Sequence, residues 1–211
     1  MKRLGSVLVL LLFVACSAAF AADRASIAYM EGDVTMNGSP ASIGDPVPPG
    51  ALITTGKDSL CQVVFNQKNI VHIAAGTTLR FDATVSRGAT LQKGAVAMVL
   101  RKLGAVQGDE LRFSISTSNT VAGVRGTCFF IDVEDQDHTY VCACNGSIHL
   151  ESADGKVTRN LSSSHHQEVR VTRAGAGESV SSAPLLYHTD ADVEAIAARI
   201  GEKIDWTKID Q

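Results

Sequence analysis

The sequence predicts an all-β fold, a β-solenoid or jelly-roll-like stack of short strands with a short C-terminal helix. Three observations carry that expectation. From Ala25 to Arg173, β-branched and apolar residues come in short runs with scarcely a helical period among them. Gly, Asp, Asn and Ser separate the runs at roughly even spacing, as sandwiches, jelly rolls and solenoids require. Only after Pro184 does a helical period emerge, with Val193, Ile196, Ala197 and Ile200 on one face.

The N-terminus comes first. Lys2 and Arg3 precede an unbroken apolar run from Val7 to Ala15, well short of the ~20 apolar residues a membrane span needs. Ala19, Phe20 and Ala21 form an A-x-A-like cleavage signal, so residues 1–21 read as a Sec-type signal peptide. The expected location is the periplasm or outside the cell. A lipoprotein box at Val14, Ala15 and Cys16 is the alternative, with Phe13 where such boxes usually carry leucine. No later stretch is apolar enough to span a membrane. Without residues 1–21, 19 basic residues become 17 against 22 acidic, a net of −5. That balance, with no Lys/Arg run, argues against nucleic acid as a partner.

Residues 22–173 form the expected β-domain. Its clearest runs are "SIAYM", "ALITT", "LCQVVF", "NIVHIAA", "TTLRF", "GAVAMVL", "LRFSIST", "CFFIDV", "TYVCA", "SIHLE" and "QEVRV". Glu31-Gly32-Asp33 and Asn145-Gly146 supply tight-turn residues, and Pro46, Pro48 and Pro49 make an extended loop unsuited to a central strand. Residues 174–187, rich in Gly, Ala and Ser, read as a flexible linker. Residues 188–203 then form an amphipathic helix, with Thr189 and Asp192 as a capping box and Gly201 as its stop. Its apolar stripe docks on the β-domain or, alternatively, meets a partner.

Several stretches taken in order, "EGDVTMNG", "GDPVPPGALITTGKDSLCQVVF", "TTLRF", "LQKGAVAMVL" and "FSISTSNTVAGVRGTCFFIDV", resemble the periplasmic FecR domain. The resemblance runs from about Ala25 to Leu150 and centres on Val124, Gly126, Thr127 and Phe129, which resemble that family's V-x-G-T-x-F core. Asn66, Gln67, Lys68 and Asn69 stand where the family has an Asp-Gly-Ser hairpin turn. In the best-known members the domain follows a cytoplasmic anti-sigma region and a membrane helix, and senses occupancy of an outer-membrane receptor. The C-x-C before Gly146, the His165-His166 pair and His188-Thr189-Asp190 resemble a subgroup of stand-alone FecR-domain proteins, so the resemblance implies a free-standing periplasmic module that acts by binding and does not imply sigma-factor control.

Cys142 and Cys144 form a C-x-C in a predicted strand, where residues two apart face the same way at ~6.6 to 7 Å between Cα atoms. That is too far for an unstrained mutual disulfide unless the strand bends. "CFFIDVEDQDHTYVCAC" reads as a hairpin about Glu134 to Asp137, whose parity puts Cys128 on the same face as both. A bridge from Cys128 to either would close a loop of about 15 residues and stabilise by roughly 3 kcal/mol. The other reading is a metal site, with His165, His166 or His188 completing a tetrahedral N/S set for Zn or Cu. Adjacent histidines on a strand point apart, so one of His165 and His166 joins more easily than both. Buried or free thiols are the third reading. Cys61 reads as a buried strand residue, and His72 and His149 as ordinary strand histidines.

No G-x-S-x-G, H-E-x-x-H, P-loop or G-x-G-x-x-G is present, so the protein is not expected to be an enzyme. Asp132, Glu134, Asp135 and Asp137 read as a solvated hairpin tip. Two functional readings follow. One is an exported binding module recognising an envelope protein or glycan, in signalling. The other is a periplasmic metal or redox sensor built on Cys142 and Cys144 with a nearby His or with Cys128.

Overall fold

The computed structural model describes residues 25–101, 113–175 and 177–209, without the side chains of 125–127. The expected signal peptide, the lipoprotein alternative at Cys16, and the side chain of Thr127 lie outside the described residues. The all-β fold with one C-terminal helix is as the sequence predicts.

The chain opens with β1 (Ala25–Glu31), β2 (Val34–Met36), β3 (Ser39–Pro40) and β4 (Leu52–Thr55). Next come β5 (Leu60–Phe65), β6 (Asn69–Ile73), β7 (Thr78–Phe81), β8 (Gly88–Leu100) and β9 (Phe113–Ser116). The hairpin of β10 (Thr120–Val133) and β11 (His138–Ser152) follows, then β12 (Thr158–Ser163), β13 (Gln167–Ala174), β14 (Gly177–Ser182) and α1 (Asp190–Ala198). Apart from β8 with β9, every described pairing is antiparallel.

Not all strands are short. β8, β10 and β11 run 13, 14 and 15 residues, and each changes neighbours midway. The second half of β8 pairs with β6 and with the second half of β10, while its first half pairs with β7 and β9. Likewise β11 pairs with β13 through its first half and with β12 through its second. The single sheet thus has two arms that share these strands and fold over one core. That core includes Phe65, Met98, Phe113, Phe129, Ile131 and Leu150, all essentially without solvent contact. Turn chemistry fits the path. Gly94, at φ 78, lies so close to Thr77 that a Cβ there would sit 2.8 Å from the Thr77 Cα, a position only glycine fills. In the hairpin that departs from the family's turn, Asn66 and Gln67 both take positive φ, at 50° and 63°.

Strand alternation gives one arm a second apolar face. Ile70, Ala97, Val99, Cys128, Phe130, Tyr140, Cys142 and Cys144 point away from the main core and are covered by the C-terminal segment. Helix α1 covers that face with Val193, Ile196 and Ala197, so its apolar stripe docks on the β-domain. Its start is as the sequence predicts, because Thr189 accepts from the Asp192 N–H and the Asp192 carboxylate reaches back to the Thr189 N–H. The helix is shorter than the expected 188–203.

The linker expected over 174–187 is corrected in part. Gly177–Ser182 is β14, paired with β13 residue for residue from Val169↔Ser182 to Ala174↔Gly177. Gly175, in the run that reads as flexible, follows β13 as a turn residue at φ 59. Among the described residues, no helix is long and apolar enough to cross a membrane.

Candidate metal centre

The two C-x-C thiols converge because β11 bulges where they lie. Phe129 faces Ala143, but the preceding residue Cys128 faces Asn145, so Cys144 is an extra residue in the ladder. The bulge bends the strand and brings the Sγ atoms of Cys142 and Cys144 to 3.6 Å. Cys128 shares their face, as the hairpin parity predicts, and the hairpin turns between Val133 and His138. The expected bridge from Cys128 is not formed: Cys61, Cys128, Cys142 and Cys144 are all free and buried. The bulge directs Cys142 and Cys144 toward each other and toward two imidazoles.

The first imidazole is His166. It lies in the turn between β12 and β13, with φ at 53°, and its N–H donates to the Cys144 carbonyl at 2.9 Å. That left-handed residue splits the histidine pair. The His166 ring is 5% exposed and its Nδ1 lies 3.3 Å from Cys142 Sγ, whereas the His165 ring is 53% exposed. The second is His188, in the strap entering α1, whose Nε2 lies 3.3 Å from Cys144 Sγ. One donor atom from each of Cys142, Cys144, His166 and His188 falls within 4.8 Å of all the others. His165 is not among these four; it joins only a more exposed group with His166 and Asp190.

The remaining ring nitrogens are held from outside. His166 Nε2 donates to Asp190 Oδ1 at 2.7 Å, and His188 Nδ1 donates to the Leu186 carbonyl at 2.9 Å. Each bond orients its ring so that the other nitrogen faces sulfur, the usual outer support of metal-ligating histidines. Phe130 stacks on His188 at 4.5 Å, and Trp206 packs against His166 at 5.3 Å. Asn145 locks this cover, its Nδ2 donating to the carbonyls of Ser164, Asp205 and Lys208.

The electrostatics make one thiolate. A hydrogen bond from Cys144 draws Cys142 down to about 4 against the cost of burial, with His166 and His188 adding to the effect. Burial, followed by the hydrogen bond with Cys142, raises Cys144. Burial opposes charge on His166, but its bonds to Cys142 and Asp190 prevail and lift it to about 9. Without metal, the cluster is a thiolate–imidazolium pair beside a thiol. Burial pushes the other two thiols up, Cys61 to about 12 and Cys128 likewise upward, and neither belongs to the four donors within 4.8 Å.

The Cys142–Cys144, Cys142–His166 and Cys144–His188 separations fit a small soft cation. Tetrahedral zinc, with bonds of about 2.3 Å to sulfur and 2.0–2.1 Å to nitrogen, needs about 3.8 Å between sulfurs and about 3.5 Å from sulfur to nitrogen. The observed 3.6 and 3.3 Å lie within about 0.2 Å of these. The sequence missed Asp190 as the outer partner of His166. A clue was legible in "HTD", where a carboxylate follows His188 by two residues. The hairpin-tip acids are otherwise engaged: Glu134 pairs with Arg170 and Tyr187, and Asp135 with His138.

Residues 51–149 match the family model described as FecR protein, which bears out the resemblance read from the sequence. No curated protein matches the chain. Two crystal structures of a candidate anti-sigma factor from Parabacteroides distasonis ATCC 8503, at 2.50 and 1.65 Å, are similar at a TM-score of 0.47 and 17% identity. Each similarity covers 62% of this chain and 59% of the other, so the chain spans under two thirds of that protein's length.

Proposed function

We propose that this protein is an exported, non-enzymatic FecR-like module of envelope signalling whose Cys142–Cys144–His166–His188 cluster holds a zinc ion, with copper(I) as the competing cargo. One observation carries the metal reading: four N/S donors lie within 4.8 Å of one another, and both imidazoles are oriented by hydrogen bonds from behind. The match over residues 51–149 supports the regulatory role. The partner is an envelope protein or glycan, read by the β-domain surface.

Two thiolates and two imidazoles complete a tetrahedron and leave no position for water or substrate, which suits a structural or sensing site. Binding expels protons from Cys144 and His166. The site therefore fills more readily as pH rises.

The test is metal analysis of the full chain exported to the periplasm and purified without chelator, with X-ray absorption at the metal edge. One equivalent in an S2N2 shell, lost in Cys144→Ser and His188→Ala, is the expected result. Protein that stays metal-free after reconstitution with zinc and with copper(I) would overturn the reading.

A further inference from the structure

A cavity of about 340 Å³ lies between α1 and the sheet, within the usual range of small-ligand sites. Ala97 and Phe130 from the sheet and Val193 and Ile196 from the helix give it apolar walls. Gln62 and His72, neighbours across β5 and β6, add polar groups to its lining. We propose that this cavity binds a small, uncharged ligand with an apolar body and an amide head.

The Gln62 amide is the first support. Gln62 is 5% exposed, its Nε2 donates to His72 Nδ1 at 3.1 Å, and its Oε1 has no hydrogen-bond partner. Turning the amide over would only exchange which atom is orphaned. A buried polar atom without a partner carries an uncompensated desolvation cost, which a ligand N–H relieves. The last torsion of glutamine is broad, so Oε1 can turn to meet it.

Charge is the second support. Asp192 and Arg199 both line the cavity, one acid against one base, which gives neither an anion nor a cation a net advantage. With Nδ1 accepting from Gln62, His72 carries its proton on Nε2 and offers a donor. An amide supplies both an N–H for Gln62 and a carbonyl for such a donor. The Phe130 ring, stacked on His188, gives an aryl or alkyl body a flat wall.

The inference goes beyond the metal reading and does not rest on it. Benzamide is the probe and toluene its counterpart without the amide, each titrated into the full chain and followed by backbone and glutamine side-chain NMR. Saturable shifts at Gln62, Phe130 and α1, with benzamide at least tenfold tighter than toluene, are expected. Gln62→Leu should abolish that preference, and Ala97→Leu should fill the cavity and abolish binding of both. Benzamide binding no tighter than toluene, an unchanged preference in Gln62→Leu, or a lone water on Gln62 with no saturable shift would overturn the proposal. Metal content measured on the same samples separates this outcome from failure of the metal site.

Discussion

Asp190 stands behind His166: its Oδ1 takes the ring's Nε2 proton in a 2.7 Å hydrogen bond while Nδ1, across the ring, faces Cys142 at 3.3 Å. The first residue of α1 thus orients a donor that belongs to the β-domain. Removing the carboxylate charge should loosen the donor without unfolding the domain. Asp190→Asn is expected to weaken zinc affinity ten- to a hundredfold in competition with a chromophoric chelator. Unchanged affinity would deny Asp190 this role.

Trp206 is the chain's single tryptophan, and its ring lies 5.3 Å from that of His166 and 5.0 Å from that of His165. Its emission should therefore report the state of the cluster. Zinc added to metal-free protein is expected to change Trp206 fluorescence up to one equivalent and no further. In His166→Ala that response should disappear.

Metal should also hold the C-terminal strap in place. His188 immediately precedes the Thr189 cap, while the other three donors lie in β11 and the turn before β13. Chelation is expected to raise hydrogen exchange at Val193, Ile196 and Ala197 at least tenfold while strands β6 and β8 stay protected. Equal protection with and without metal would show that apolar packing alone docks the helix.

Asn119 braces the end of the β10–β11 hairpin. Its Oδ1 accepts from Thr139 at 2.6 Å, and its Nδ2 donates to the carbonyls of Asp137 and Val171 at 2.9 and 3.2 Å. Asn119→Ala strands buried polar groups on two segments. A loss of about 3 kcal/mol in urea unfolding is expected.

Glu134 sets an acid limit. The bidentate hydrogen bond from Arg170, helped by Tyr187 and opposed by burial, holds its carboxyl below the usual glutamate range. A depressed folded value means the contribution is complete above the unfolded pKa of about 4.3 and is lost as pH falls through the lower folded value. Melting temperatures from pH 6 to 3 should fall more steeply in the native protein than in Glu134→Gln.

Much of this was legible in the sequence because it rests on local rules. Alternation in "CFFIDV" and "TYVCA" fixed the shared face of Cys128, Cys142 and Cys144, and Thr189 with Asp192 marked the helix start. The convergence of Cys142 and Cys144 depends on a bulge set by the partner strand, which no local pattern reveals. His188 was named as a candidate, but its union with Cys144, 44 residues away, comes from docking of the strap. Gly175 looked like slack chain because the same residue type serves linkers and tight turns.

The order of the four donors along the chain has a consequence for biogenesis. In the exported, metal-holding protein proposed above, a chain threaded from its N-terminus delivers Cys142, Cys144 and His166 first. His188 arrives last. Until then the nascent site is a three-coordinate cradle open to exchange, able to sample the ions of the compartment it enters. On the metal reading proposed above, arrival of the fourth ligand closes the cradle, and the ion retained would be the one present at that moment of maturation.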